Sequence, residues 1–233
     1  MQITHAFRIL GKNPVSWFFH SVRRFGFVQT ITVVWSVFVD ASFDVRYGTD
    51  TFSRIPSGQI VTDSENAKHS ANYGATKAMS FMRLVRLLEL PLDGVFVDLG
   101  SGKGRALMLA AKYGFRKVIG IEFSGALCHI ARRNLQSFLR KCPSQSQIEV
   151  IESDVTQYIL RDDETIFFMF DPFNAPVLLQ VLKNIAASLE RKPRKIWLIY
   201  CIPRAQHIVE QSGVFKHSQL YVVIGSEFRV YSN

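Results

Sequence analysis

The chain has 233 residues, 48% of them hydrophobic and 20% charged, ordinary proportions for one globular domain with an appendage and long enough to bury a full α/β core. Net charge is +9, but the basic residues are scattered as Arg23-Arg24, Arg132-Arg133, Arg140-Lys141 and Arg191-Lys192, which does not favour a nucleic-acid partner. The three cysteines, Cys128, Cys142 and Cys201, are odd in number, far apart and without a C-x-x-C pair; this argues against a disulfide framework or a metal site and suits a reducing cytoplasm.

Residues 1–62 read as an N-terminal helical extension and lid, and residues 63–233 as the main domain. Phe25 to Val39 is a run without charge, preceded by Arg23-Arg24 and followed by Asp40. At 15 residues, with Gln29, Thr30, Thr32 and Ser36 inside it, the run is short for a membrane span. The long mixed start and the lack of a small-residue cleavage site do not fit a signal peptide. The run reads as a helix packed on the domain. An interfacial helix that brings residues 17–39 to a membrane surface, helped by Arg23-Arg24, and a true span are the alternatives. Asp50 to Asn72 is rich in Ser, Asp, Asn and Gly and reads as a loop or lid. Tyr73-Gly74-Ala75-Thr76 then leads into Met79, Phe81, Met82, Leu84, Val85, Leu87 and Leu88, a helical periodicity that Thr76 is placed to cap.

Val95 to Leu99 is a short apolar strand. It runs through Gly100-Ser101-Gly102-Lys103-Gly104 into the apolar helix beginning Arg105-Ala106-Leu107, the strand–loop–helix unit that meets a nucleotide at a helix N-terminus. The third glycine comes one residue too early for a dinucleotide site, where Arg105 now stands, and Lys103 is followed by Gly104, which excludes a phosphate loop. Asp98 at the strand end would repel a pyrophosphate and suits a ligand with an ammonium group.

The βα rhythm repeats. Lys117 to Glu122 reads as a second strand whose terminal acid, 24 residues beyond Asp98, matches the acid that binds a ribose diol in nucleotide-binding α/β folds. Ser124 is the cap for a helix through Leu139. Ile148 to Ile151 is a third strand, followed by Glu152-Ser153-Asp154-Val155. Thr165 to Phe170 is a continuous apolar run, expected for a central strand buried on both faces, and ends in Asp171-Pro172-Phe173-Asn174. A helix follows over 176–189, with Asp171 as one reading of its cap and Phe173 as core. Lys195 to Tyr200 is a fifth strand, Pro203 to Ser212 a short helix, and Phe215 to Tyr231 a hairpin turning at Gly225-Ser226.

The stretch Asp98-x-Gly100-x-Gly102-x-Gly104 resembles the first motif of the seven-stranded (class I) S-adenosylmethionine (SAM)-dependent methyltransferases, and the resemblance covers roughly residues 70–233. Phe43-Asp44-x-Arg46-Tyr47-Gly48-x-Asp50-Thr51 and Gly120-Ile121-Glu122-Phe123-Ser124 are similar to stretches in a group of bacterial methyltransferases. The resemblance implies an α/β, Rossmann-like seven-stranded sheet, mostly parallel with an antiparallel C-terminal hairpin and helices on both faces. It implies S-adenosyl-L-methionine as cofactor. Asp98, Gly100, Ser101 and Gly102 would frame its methionine part, Tyr73 and Thr76 would close over it, Glu122 would take the ribose, Asp154 and Val155 the adenine, and Phe123 joins the cofactor-binding residues. Asp171-Pro172-Phe173 resembles the [Asp/Asn]-Pro-Pro-[Tyr/Phe] motif of enzymes that methylate nitrogen, with the second proline absent. By that likeness Asp171 and Phe173 are the catalytic candidates, and nitrogen on a protein or small molecule is the favoured acceptor, with RNA as the alternative class. No metal is implied. A non-catalytic SAM-binding or scaffold module anchored by its N-terminal helix is the reading from another class. A nicotinamide oxidoreductase is disfavoured by Arg105.

Overall fold

A computed structural model describes residues 15, 19–20, 22–23, 26–52, 74–170 and 173–233. Tyr73, Asp171 and most of the expected lid lie outside the described residues.

The apolar runs become seven strands: β1 (Val95–Leu99), β2 (Lys117–Glu122), β3 (Gln147–Glu152), β4 (Glu164–Phe170), β5 (Trp197–Cys201), β6 (His217–Val223) and β7 (Ser226–Ser232). They form one sheet in the order β3-β2-β1-β4-β5-β7-β6. β1 to β5 pair in parallel, and β7 runs antiparallel to both β5 and β6. The reversal of order beside β1 opens a crevice at the carboxyl ends of β1 and β4, the place where sheets of this kind bind ligands.

The period-two geometry of the strands explains the two core layers. Phe96, Ile166 and Phe168 face one cluster with Phe81, Leu84 and Phe115. Val97, Leu99, Phe167 and Met169 face the other with Leu178, Leu182 and Ile185. The first layer is closed by α2 (Ala78–Leu88) and α3 (Arg105–Tyr113), with α4 (Gly125–Lys141) beside them; the second is closed by α5 (Ala175–Arg191) and α6 (Gln206–Gln211).

The N-terminal helix α1 (Phe27–Tyr47) runs well past the charge-free stretch, through Asp40 and Asp44, and ends at Gly48 in the left-handed region. It continues because both acids are partnered. Asp40 accepts the Ala78 N–H at 2.7 Å, and Asp44 accepts from the Thr51 and Phe52 amides and from the Thr49 and Thr51 hydroxyls. Two capping expectations change. The α2 N-cap is Lys77, and the orphan Ala78 amide is satisfied by Asp40 from another helix, not by Thr76, which is buried. The α5 cap is Asn174, whose side chain accepts the Val177 N–H at 3.2 Å, with a proline in the first turn. Ser124 caps α4 as expected, taking the Leu127 N–H.

Candidate functional site

β1 and β2 carry their acids to the same edge. The register sets Asp98 beside Gly120 and Leu99 beside Ile121, so Glu122 closes β2 next to the loop that leaves β1. Both carboxyls are buried, 3% and 4% exposed. Glu122 is held from two sides: Oε2 accepts the Gly102 N–H at 2.9 Å, and Oε1 accepts the Ser124 N–H at 3.0 Å. One side chain therefore fixes both the glycine turn and the start of α4.

The turn needs its glycines. Gly100, Gly102 and Gly104 sit at φ of 86°, 52° and 83°. Gly100 and Ser101 both donate their amides to the Ile121 carbonyl at 2.9 Å, and the Gly104 amide goes to the Ser101 carbonyl. With the Gly102 amide on Glu122, these four N–H groups serve the loop itself. What the loop offers a ligand is close backbone approach and the Ser101 hydroxyl, which is buried and has no hydrogen-bond partner among the described residues. Gly120 makes room for this arrangement, since a Cβ there would lie 2.6 Å from Leu107 Cδ1 and 2.7 Å from Ser101 Oγ.

The electrostatics follow from burial. Desolvation holds the Asp98 carboxyl well above the ordinary carboxylate range, and the nearby Glu122 charge raises it further. Desolvation also raises Glu122, against the lowering effect of the Ser124, Gly102 and Phe123 amides. The two cations of the loop sequence point elsewhere. Lys103 Nζ pairs with Asp50 at 3.1 Å. Arg105, 2% exposed, donates its Nε–H to Thr51 Oγ1 at 2.6 Å, lies 3.8 Å from Asp40 and 3.6 Å from Asp44, and covers the Phe43 ring at 4.7 Å. Asn134 of α4 closes the set. Its amide donates to the Asp50 and Lys103 carbonyls, and its oxygen accepts the Asp50 N–H.

This latch between α1 and the glycine loop was not anticipated. Its sequence signal was present: Asp40 and Asp44 are one helical turn apart and follow a run with no charge. Acids so spaced share a helix face and need partners if that face is buried.

Asp154 lies beyond β3 in a pinned segment. It accepts from the Thr156 amide and hydroxyl, Asn184 Nδ2 holds the Thr156 carbonyl, and the Tyr158 hydroxyl donates to buried Glu164. Val155 and Phe173 are partly buried and pack on the second core layer. Phe123 is partly exposed beside Glu122.

The residues present suit SAM. A buried acid at the end of β1 matches a ligand carrying an ammonium group, and a second at the end of β2 matches its hydroxyls. A glycine turn that admits close approach and a buried hydroxyl without a partner match a ligand seated on the loop.

Comparison with known proteins agrees with this architecture. The family model "Histone methylation protein DOT1" matches residues 61–158. A histone-lysine N-methyltransferase, H3 lysine-79 specific, from Caenorhabditis elegans is 28% identical over 136 residues, covering 54% of this chain and 14% of that protein. Among solved structures, the pyocyanin biosynthetic protein PhzM superposes with a TM-score of 0.52 at 14% identity, over 66% of this chain and 54% of that one. The methyltransferase domain of bacterial CtHen1-C superposes with a TM-score of 0.50 at 14% identity, over 66% of this chain and 97% of that one. The chain thus spans about half of PhzM and a small part of the curated relative.

Proposed function

We propose, for a chain with the class I SAM-dependent methyltransferase fold, that it transfers the methyl group of SAM to a nitrogen nucleophile on a protein acceptor. The observation that carries the reading is the buried Asp98–Glu122 pair on adjacent strand ends around a glycine turn. The protein-nitrogen part is supported by the likeness to the DOT1 family model and to a histone-lysine N-methyltransferase. The partial Asp171-Pro172-Phe173 motif points the same way.

In this reading Asp98 faces the ammonium of the methionine part, and the Gly100–Gly102 turn and the Ser101 hydroxyl border it, with Tyr73 and Thr76 closing over it. Glu122 takes the ribose hydroxyls. Its oxygens accept the Gly102 and Ser124 amides and, with about four lone-pair sites between them, keep acceptor capacity for a hydroxyl. Phe123 flanks the ribose, and Asp154 and Val155 border the adenine. SAM supplies an electrophilic methyl group on a sulfonium. The protein's task is then alignment and exclusion of water, plus removal of a proton from a protonated amine. Asp171 orients the nitrogen and accepts that proton, and Phe173 borders the acceptor.

Calorimetric titration with SAM tests the site. Glu122→Ala should weaken binding by more than about tenfold, or ~1.4 kcal/mol. Glu122→Gln, which keeps one acceptor oxygen, should fall between it and the wild type. Equal affinity in all three would remove Glu122 from the site.

A further inference from the structure

Helix α1 buries a mixed face and turns apolar side chains outward. Its buried positions are Thr30, Ser36, Asp40, Phe43 and Tyr47, while Phe27, Val28, Ile31, Trp35, Phe38 and Val45 are exposed, Val28 at 76% and Trp35 at 61%. At the helical repeat these six fall within an arc of about 100°, opposite the buried set. The rotation is fixed, because Asp40 is bonded to the Ala78 amide and lies 3.8 Å from Arg105. Hydroxyls along the helix are satisfied by its own carbonyls: Thr30 on Gly26, Thr32 on Val28, Ser36 on Val33 and Ser42 on Val39. From Phe27 to Phe38 the outward face is apolar without interruption, and exposed Ser42 and Arg46 share the arc beyond it. Val15 and Phe19, both helical, are exposed as well.

Charge selects what covers this face. Residues 1–39 hold Arg8, Lys12, Arg23 and Arg24 and no Asp or Glu. An apolar, aromatic helix face joined to an acid-free cationic flank complements an anionic lipid surface. A protein groove would need the apolar face but not the acid-free flank. By length and composition alone α1 could cross a bilayer. Crossing would strand Asp40, Asp44 and Arg105, now joined beneath the helix, in hydrocarbon. We infer that α1 lies flat in the headgroup region of an anionic phospholipid membrane and docks the protein there through Phe27, Ile31, Trp35 and Phe38.

The test is co-sedimentation of the full chain with vesicles of phosphatidylcholine, with or without about 30% phosphatidylglycerol. Binding should appear with the anionic vesicles, fall with added salt, and drop by about tenfold or more in Trp35→Glu/Phe38→Glu. The milder Ile31→Gln/Phe38→Gln should weaken it less, and thermal unfolding should show both variants folded. Sedimentation velocity without lipid separates the other occupants. A dimer that the same variants dissociate, with no vesicle binding, assigns the face to a second copy and overturns the proposal. A monomer that binds neither vesicle overturns it in favour of a protein partner.

Discussion

Asp98 shows how one side chain sets both the cost and the use of the site. A carboxyl with 3% exposure beside a second buried acid is destabilising when ionised. Because its folded-state pKa is raised, its contribution to stability is fully present below the ordinary Asp value and is lost as pH rises through the folded value. Asp98→Asn should therefore raise the melting temperature near neutral pH, by roughly 2–4 °C for each ~1 kcal/mol relieved. The gain should shrink towards acid pH, and SAM binding should be lost. Thermal scans across pH check this, and an Asn variant no more stable than wild type at neutral pH would contradict it. Asp98 and Glu122 were legible in the sequence because each is fixed by a strand end and a glycine spacing. Lys103 and Arg105 were legible only as reasons to exclude other ligands, since their partners Asp50 and Thr51 lie more than 50 positions away.

At the scale of elements, the glycine loop is held from outside the methyltransferase core. Arg105, the first residue of α3, reaches α1, with Asp40 and Asp44 on one side and the Thr51 hydroxyl on another. Removing the cation alone leaves buried Asp40 and partly buried Asp44 without their shared counter-charge, so Arg105→Met should destabilise the fold by about 3 kcal/mol. Adding Asp40→Asn and Asp44→Asn should restore much of that loss. Denaturant unfolding checks the pair, and an Arg105→Met variant as stable as wild type would remove the latch from the account. β2 was read to its last residue, and the other strands to within a residue or two at most ends, because apolar runs bounded by glycines and acids are local signals. The length of α1 and the cap of α2 were not, since both depend on Asp40 reaching Ala78 across 38 positions.

For the molecule as a whole, the strands and the final hairpin were legible from the alternation of strand and helix patterns, and the family resemblance implied their assembly into one mostly parallel sheet; the order β3-β2-β1-β4-β5-β7-β6 comes from the structure. The sequence did not reveal that α1 turns its apolar side outward, since a run without charge has no intrinsic rotation until Asp40 and Asp44 are anchored. The buried acids Asp98 and Glu122, the latch that ties α1 to their loop, and the apolar outward face of α1 thus belong to one connected unit. The central claim is methyl transfer. The most direct measurement is incorporation of label from tritiated SAM into fractionated cell lysate, with Asp98→Ala run in parallel. The account predicts label on the nitrogen of one protein fraction, with the wild type only. No label in any fraction, from protein shown by calorimetry to bind SAM, would contradict it.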